Sequence, residues 1–242
     1  MSAFVQGVDR FYSLLARLST APGQGLRLRQ LKERFVLPRR GVYFFMESGE
    51  FRVTHPEIRR IVRIGTHAVS AGSKSLLGAR LGAHLGTRTG GGNHRGSIFR
   101  LHVGAALLAR DGLSLPSWGV GSALPPQVRG NPVALAAEAE LERRVSAHIG
   151  EMTVLWVAVP DEPGPLSMRA YIERNTIALL SNKLAPLDVS SSGWLGRFSP
   201  RAEIRHSALW NLRHVQDECD LQFLPTLESL VTLTREDEPR SK

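Results

Sequence analysis

Apolar positions over residues 4–18 fall at helical spacing. Phe4, Val8, Phe11, Tyr12, Leu15 and Leu18 share one face, with Asp9, Arg10 and Arg17 elsewhere. Turn-forming residues at 21–25 end that helix, and a second short basic helix is expected over 26–34. Pro38 forces an extended entry into Gly41-Val42-Tyr43-Phe44-Phe45-Met46, whose β-branched and aromatic density predicts a strand. A polar connection with Gly49 at its turn leads to a second strand over 60–65, completing an antiparallel hairpin with a long loop. Strict alternation puts Ile61 and Arg63 on one face of that strand and Val62 and Ile64 on the other.

Leu77, Leu81 and Leu85 repeat every fourth residue, so a helix starting near Ser75 buries them and carries Arg80 and His84 on the stripe's edge. A glycine-rich stretch (89–96), an apolar helix (98–109) and an irregular Gly/Pro excursion (112–132) follow. Pro132 opens a further helix whose Glu138, Glu140, Glu142, Arg143 and Arg144 read as solvated. Residues 152–159 are apolar almost throughout, the pattern of a strand covered on both faces. A helix over 168–184, a loop at 190–196, helices around 207–216 and 224–233, and a charged end from Glu236 complete the chain. The expected fold class is α/β (α+β): a small three-stranded antiparallel or mixed sheet flanked by helices. The nuclear part is 38–188 with an insertion at about 90–150, between helical extensions at 1–37 and 189–242.

Composition removes several classes. A hydrophobic fraction of 42% with 22% charged residues excludes wholesale disorder. A single cysteine, Cys219, excludes a disulfide framework and a multi-cysteine zinc site, fits a reducing cytoplasm, and reads as a quiet thiol. No apolar run is long enough to cross a bilayer, and charges interrupt the N-terminal apolar stretch, so a soluble protein without a membrane partner is expected. The net charge of +9 is unevenly spread: residues 1–110 hold 18 Lys/Arg against 5 Asp/Glu, and residues 111–242 hold 13 against 17. Only four of the basic residues are lysine. Arginine pairs bidentately with phosphate, so this field suits a nucleic-acid partner; arginine-favouring codon usage with a solvated surface is the competing account.

Gly90–Gly96 lacks the lysine and hydroxyl of a phosphate-binding loop, so no nucleotide cofactor is expected, and the histidines show no zinc spacing. What remains is ordered. Gly-Val-Tyr (41–43) stands on the first strand and Arg-Ile-Gly (63–65) on the second. Arg80 and His84 share the next helix, and Glu173 lies on the helix after the third strand. Taken singly, Tyr43 reads as packing, Arg80 as a snorkelling side chain and His84 as a core-edge histidine; Glu173, inside an apolar stripe, needs a partner or a metal, with a structural Arg169–Glu173 pair as the competing account. His94, Arg95 and Arg100 follow turn residues, as a phosphate clamp or an ordinary basic loop would. Trp194 and Trp210 read as core anchors.

Together these motifs resemble the GIY-YIG nuclease superfamily, whose signature is a Gly-Ile-Tyr strand, a Tyr-Ile-Gly strand, a helical arginine and a later glutamate. The Arg80-x-x-x-His84 pair is closest in style to the restriction-endonuclease branch. The resemblance implies a metal-dependent DNA endonuclease. Tyr43 would act as or assist the general base, Arg80 stabilise the transition state, His84 orient the water or Tyr43, and Glu173 hold Mg²⁺ or Mn²⁺. Arg63 departs from the family, which usually has tyrosine there. Arginine cannot relay a proton, so Arg63 is expected to act electrostatically on Tyr43 or on DNA phosphate, with His67 or His84 as the relay. A catalytically silent nucleic-acid-binding form and a basic interaction protein stay open. Nothing in the pattern specifies an oligomeric state.

Overall fold

Strand β2 (Gly41–Phe51) is a central strand of a four-stranded antiparallel sheet of order β1-β4-β2-β3, where β1 is Leu26–Arg27, β3 is Arg59–Gly65 and β4 is Thr153–Ala158. This comes from a computed structural model, which describes residues 2–34 and 37–236. The charged end beyond Glu236 lies outside the described residues. The fourth strand is a correction to the three expected: Leu26 and Arg27 pair with Val154 and Thr153, and helix α2 begins only at Leu28.

Because β2 and β4 are apolar on alternate residues in both directions, each face of the sheet collects its own core. On one face Val42, Phe44, Ile64, Leu155 and Val157 pack under α1 (Ala3–Ser19), α7 (Met168–Leu180) and α9 (Phe223–Glu236). On the other, Tyr43, Phe45, Val62, Val154 and Trp156 pack under α2 (Leu28–Arg34), α3 (Leu77–Leu85), α4 (Ile98–Arg110) and α6 (Pro132–Glu151). Fully burying one such large apolar side chain stabilises by about 1.5–3 kcal/mol. The family of helices at both chain ends therefore closes the core. Among the described residues no helix is long and apolar enough to cross a membrane.

Two irregularities decide what faces the site. Gly49 does not turn the hairpin; it sits inside β2 with φ +85°, and the chain reverses over 52–58, where Arg52 N–H donates to Ile58 O (2.9 Å). A bulge in β3 then breaks the expected alternation: Phe45 pairs with Arg63 but Met46 pairs with Ile61, leaving Val62 as the extra residue. Arg63 consequently joins the face of Tyr43 and Phe45, while Ile61 and Ile64 share the opposite core.

Other expectations are also revised. The 112–132 excursion contains one short helix, α5 (Pro126–Arg129), and α7 stops at Leu180. Residues 207–216 are not a helix; α8 (Ala202–Ser207) ends as they begin. The segment runs along β3 instead. Trp210 N–H donates to Val62 O (2.7 Å), and Asn211 both accepts from Ile64 N–H (3.1 Å) and donates to Ile64 O (2.8 Å). An exposed strand edge is thereby capped.

The uneven charge along the chain is spent partly inside the fold. Arg52 pairs with Asp188, Arg95 with Glu138 and Arg100 with Glu142, each basic residue from the first half and each acid from the second. Arg10 and Arg17 reach Glu228 in the same way at the surface.

Candidate active site

The two tripeptide glycines are each required by space. Gly41 pairs with Ala158, and a Cβ there would stand 2.4 Å from Val157 O. Gly65 lies directly opposite Tyr43, whose ring crosses it; a Cβ at 65 would stand 2.2 Å from Tyr43 Oη. The glycine thus lets the phenol lie flat along the sheet toward α3.

On α3 the buried stripe is Leu77, Leu81 and His84, not Leu85, which is only half-buried. His84 is therefore inside rather than at an edge. Its Nε2 lies 2.7 Å from Tyr43 Oη and its Nδ1 2.8 Å from Ser97 Oγ. Burial first, and then Arg63, Arg80 and Arg100, push its pKa well below the ordinary histidine value, so the imidazole is neutral. Tyr43 and His84 are both 0% exposed, and the site meets solvent through half-buried Arg80 and Glu173.

Arg63 is buried with its guanidinium 4.6 Å from the centre of the Phe99 ring, and Nη1 donates to Trp210 O (2.6 Å). Its charge also faces Tyr43 and Glu173. Arg63 Nε, Arg80 Nε and His67 Nε2 are buried with no hydrogen-bond partner among the described residues. Unpaired buried polar atoms are costly, and those of Arg63 and Arg80 belong to side chains whose charge bears on one carboxylate.

That carboxylate is Glu173. Its Oε1 accepts the backbone N–H of Thr66 (3.1 Å), one residue past Gly65. Burial pushes its pKa up, opposed by Arg63, the Thr66 N–H, His214 and Arg80. The competing account, an Arg169–Glu173 pair, is not formed. Arg169, fully buried, binds Asp161 and the carbonyls of His67 and Ala68 instead, which fixes the loop after β3. Ala68 in that loop holds φ +54°, a strained value for a residue with a side chain. His67 Nδ1–H donates to Ser75 O (3.1 Å), and burial followed by Arg169 lowers its pKa to about 4. Among the described residues no three His, Cys, Asp or Glu side chains gather to hold a metal. Glu173 makes no ion pair among those residues either; its carboxylate, bonded only to Thr66 N–H, is the group here that could hold a Mg²⁺ or Mn²⁺.

The expected phosphate clamp is corrected by the geometry. Arg100 is 0% exposed, and its guanidinium is shared among Glu142, Ser146 Oγ (3.0 Å) and His84 O (2.9 Å). His94 directs both its backbone N–H (2.6 Å) and Nδ1 (2.9 Å) at Glu142 Oε1 and stacks on Trp118. Arg95 grips Glu138 with two hydrogen bonds of 2.8 Å. The two buried acids, expected in solvent, are what draw these bases inward. The glycine-rich loop covers Arg100: a Cβ at Gly92 would lie 2.0 Å from its guanidinium. Trp194 and Trp210 are buried as expected, both donating to Glu47 Oε2. Cys219 is a thiol whose pKa burial raises to about 11.

Sequence reasoning missed Ser97 and Thr66. Ser97 was legible as the N-cap of an apolar helix, but its second contact, across to His84, has no local signature.

A family model described as a GIY-YIG domain matches residues 2–237, nearly the whole chain. No curated protein and no solved structure matches it.

Proposed function

This chain belongs to the GIY-YIG domain family, and on that premise we propose that it is a metal-dependent DNA endonuclease hydrolysing phosphodiester bonds. The observation that carries the reading is the Tyr43 Oη–His84 Nε2 contact of 2.7 Å beside Arg63, Arg80 and Glu173. Phosphodiester hydrolysis needs a base for the attacking water and positive charge for the phosphoryl oxygens. Tyr43 passes its hydroxyl proton to His84 Nε2, 2.7 Å away, as Oη takes the proton of the attacking water, whose oxygen bonds to phosphorus. The P–O3′ bond breaks, and the 3′ oxygen takes its proton from solvent. Arg80, with Nε unpaired at the half-buried rim, meets the phosphoryl charge as it develops. Arg63, behind Tyr43, acts on the phenol rather than on DNA, because its guanidinium is buried under Trp210 O and Phe99. Glu173 would hold one Mg²⁺ or Mn²⁺, which when bound supplies Lewis-acid stabilisation of the phosphoryl oxygens. His67, buried, neutral and with Nε2 unpaired, is the auxiliary proton acceptor.

A catalytically silent, nucleic-acid-binding form is the second reading, favoured by Arg63 in the tyrosine position and by the complete burial of Tyr43. Incubation of supercoiled plasmid with the protein in Mg²⁺, in Mn²⁺ and in EDTA separates the two. The endonuclease nicks or linearises DNA only with metal, and Tyr43→Phe abolishes this. Salt-sensitive DNA binding without cleavage in either metal would establish the silent form, and no binding at all would remove both.

A further inference from the structure

Residues 111–242 hold 13 Lys/Arg against 17 Asp/Glu, yet within them residues 195–214 hold four arginines against one acid, Glu203. The four are Arg197, Arg201, Arg205 and Arg213, and all are exposed. Among the described residues Arg197, Arg205 and Arg213 make no ion pair, and Arg201 reaches only Glu203, at 3.5 Å on the surface. The first half of the chain behaves in the opposite way. Its Arg52, Arg60, Arg95 and Arg100 are held by carboxylates within the fold, while exposed Arg39, Lys74 and Arg88 stand singly on three different connections.

The fold brings the four arginines to the edge that leads into the site. Arg197 lies in a short 3-10 turn, Leu195–Phe198, which packs on α4 and α8. Arg201 and Arg205 stand one helical turn apart on α8, and Arg205 Nη1 donates to Ser199 O (2.5 Å), beside that turn. The chain then runs along β3, bonded by Trp210 to Val62 and by Asn211 to Ile64. Two residues further on, Arg213 reaches the strand end where Thr66 N–H holds Glu173. His214, next in the chain, bears on the same carboxylate. Burial, then Arg63 and Arg201, lower the pKa of His102 on α4, so one ring lies within the field of both the site's arginine and the surface's.

A scissile phosphate is one link of a chain, so a strand entering the site lays its neighbouring phosphates on the adjoining surface. Free guanidinium groups there present donors that match phosphate oxygens. We propose that the 195–214 segment is the DNA-binding surface of this protein, with Arg197, Arg201, Arg205 and Arg213 on the sugar–phosphate backbone that flanks the reacting phosphate. The segment thus replaces the 94–100 loop as the phosphate-binding element. The inference rests on the nucleic-acid partner of the reading above, which its endonuclease and silent forms share, and not on cleavage. Backbone contacts carry no base information, so this surface binds duplexes of unrelated sequence alike.

The test is the anisotropy of labelled duplex DNA titrated with the full chain in EDTA over a range of salt concentrations. The triple variant Arg197→Gln, Arg201→Gln, Arg205→Gln is expected to flatten the slope of log affinity against log salt by about 0.9 per lost contact, roughly 2–3 in all, on two unrelated sequences. Arg110→Gln, Arg129→Gln, Arg143→Gln removes the same charge elsewhere and is expected to keep the parental slope. A parental slope in the first triple overturns the proposal, and equal flattening by both triples overturns it in favour of net charge alone. Parental DNA affinity with lost binding to poly-glutamate would make the segment a surface for acidic proteins instead. If the triple does not fold, the three single variants decide, each expected to flatten the slope by about 0.9. A parent whose binding depends on these arginines but which never cuts plasmid would remove the endonuclease reading and leave the surface standing. A parent that does not bind duplex DNA removes both.

Discussion

Gly65 and Tyr43 face each other across the β2–β3 ladder, and the phenol ring occupies the space a side chain at 65 would take. One residue's lack of a Cβ thus sets the other's rotamer. It turns Tyr43 toward α3, where His84 receives it. The same strand end then presents Thr66 N–H to Glu173, so the tripeptide positions both the phenol and the carboxylate.

Gly65→Ala is expected to move Tyr43 off His84. The added methyl would sit 2.2 Å from Oη, and neither the ring nor the paired strand can yield without a shift. Overpacking of this kind costs about 1–3 kcal/mol. Denaturant melts should show that loss, and plasmid cleavage should fall further than the stability change explains. Parental cleavage by Gly65→Ala would disconnect the Tyr43–His84 contact from activity.

Glu173→Gln keeps the acceptor for Thr66 N–H and removes the charge. Folding should change by less than about 1 kcal/mol, since a single neutral hydrogen bond is retained. Cleavage in Mg²⁺ should drop by orders of magnitude, with DNA affinity measured in EDTA unchanged. Normal cutting by this variant would withdraw Glu173 as metal holder.

Arg100 and Glu142 should behave as structure and not as a DNA contact. Arg100→Ala leaves Glu142 buried with its principal partner gone, and breaking such a pair costs about 3–5 kcal/mol. Below the melting temperature, the salt dependence of DNA affinity should match the parent's. A slope flattened by about 0.9, the signature of one lost phosphate contact, would return Arg100 to the interface.

How much of this was legible follows from range. The hairpin, β4 and the α3 and α7 helices were readable because strand density and fourth-residue spacing are local. The site constellation was readable as an order of motifs. Arg63's face was not, because a bulge costs one residue of register and leaves no mark in composition. Leu209, Trp210, Leu212 and Val215 carry helix-like spacing, yet β3's open edge offers their backbone and Asn211 better hydrogen bonds. Arg52, Arg95 and Arg100 resembled a DNA-facing field because their carboxylates lie more than forty residues away.

Acid should destabilise the fold through its buried histidines before carboxylates titrate. Burial, then Arg63, lowers His102 to about 4, and His67 also falls to about 4. An unfolded histidine titrates near 6.5, so between about pH 6.5 and 4 the unfolded chain binds more protons. Stability is therefore whole above that window and falls as pH drops through it. His102→Leu removes one such group, whose Nε2 has no partner among the described residues. Its urea midpoint should decline with pH less steeply than the parent's over pH 6.5–4. Parallel curves would show that His102 is protonated equally in both states.

Arg63 carries the sharpest contrast, because its structural and electrostatic duties can be separated. Arg63→Ala strips the donor from Trp210 O and uncovers Phe99, costing about 1–3 kcal/mol for the unpaired carbonyl alone. Arg63→Tyr, the family's usual residue, brings a ring for the Phe99 face and a hydroxyl able to donate to Trp210 O. It should recover most of the stability lost in the alanine variant. If Arg63 also acts on the phenol, cleavage by the alanine variant should fall beyond its loss of folded protein. The tyrosine variant should then cut faster than the alanine one, since a hydroxyl again faces Tyr43. Single-turnover cleavage well below both melting temperatures isolates this from folding. Equal rates for the two variants, with the tyrosine variant restored in stability, would confine Arg63 to holding the 208–214 segment against β3.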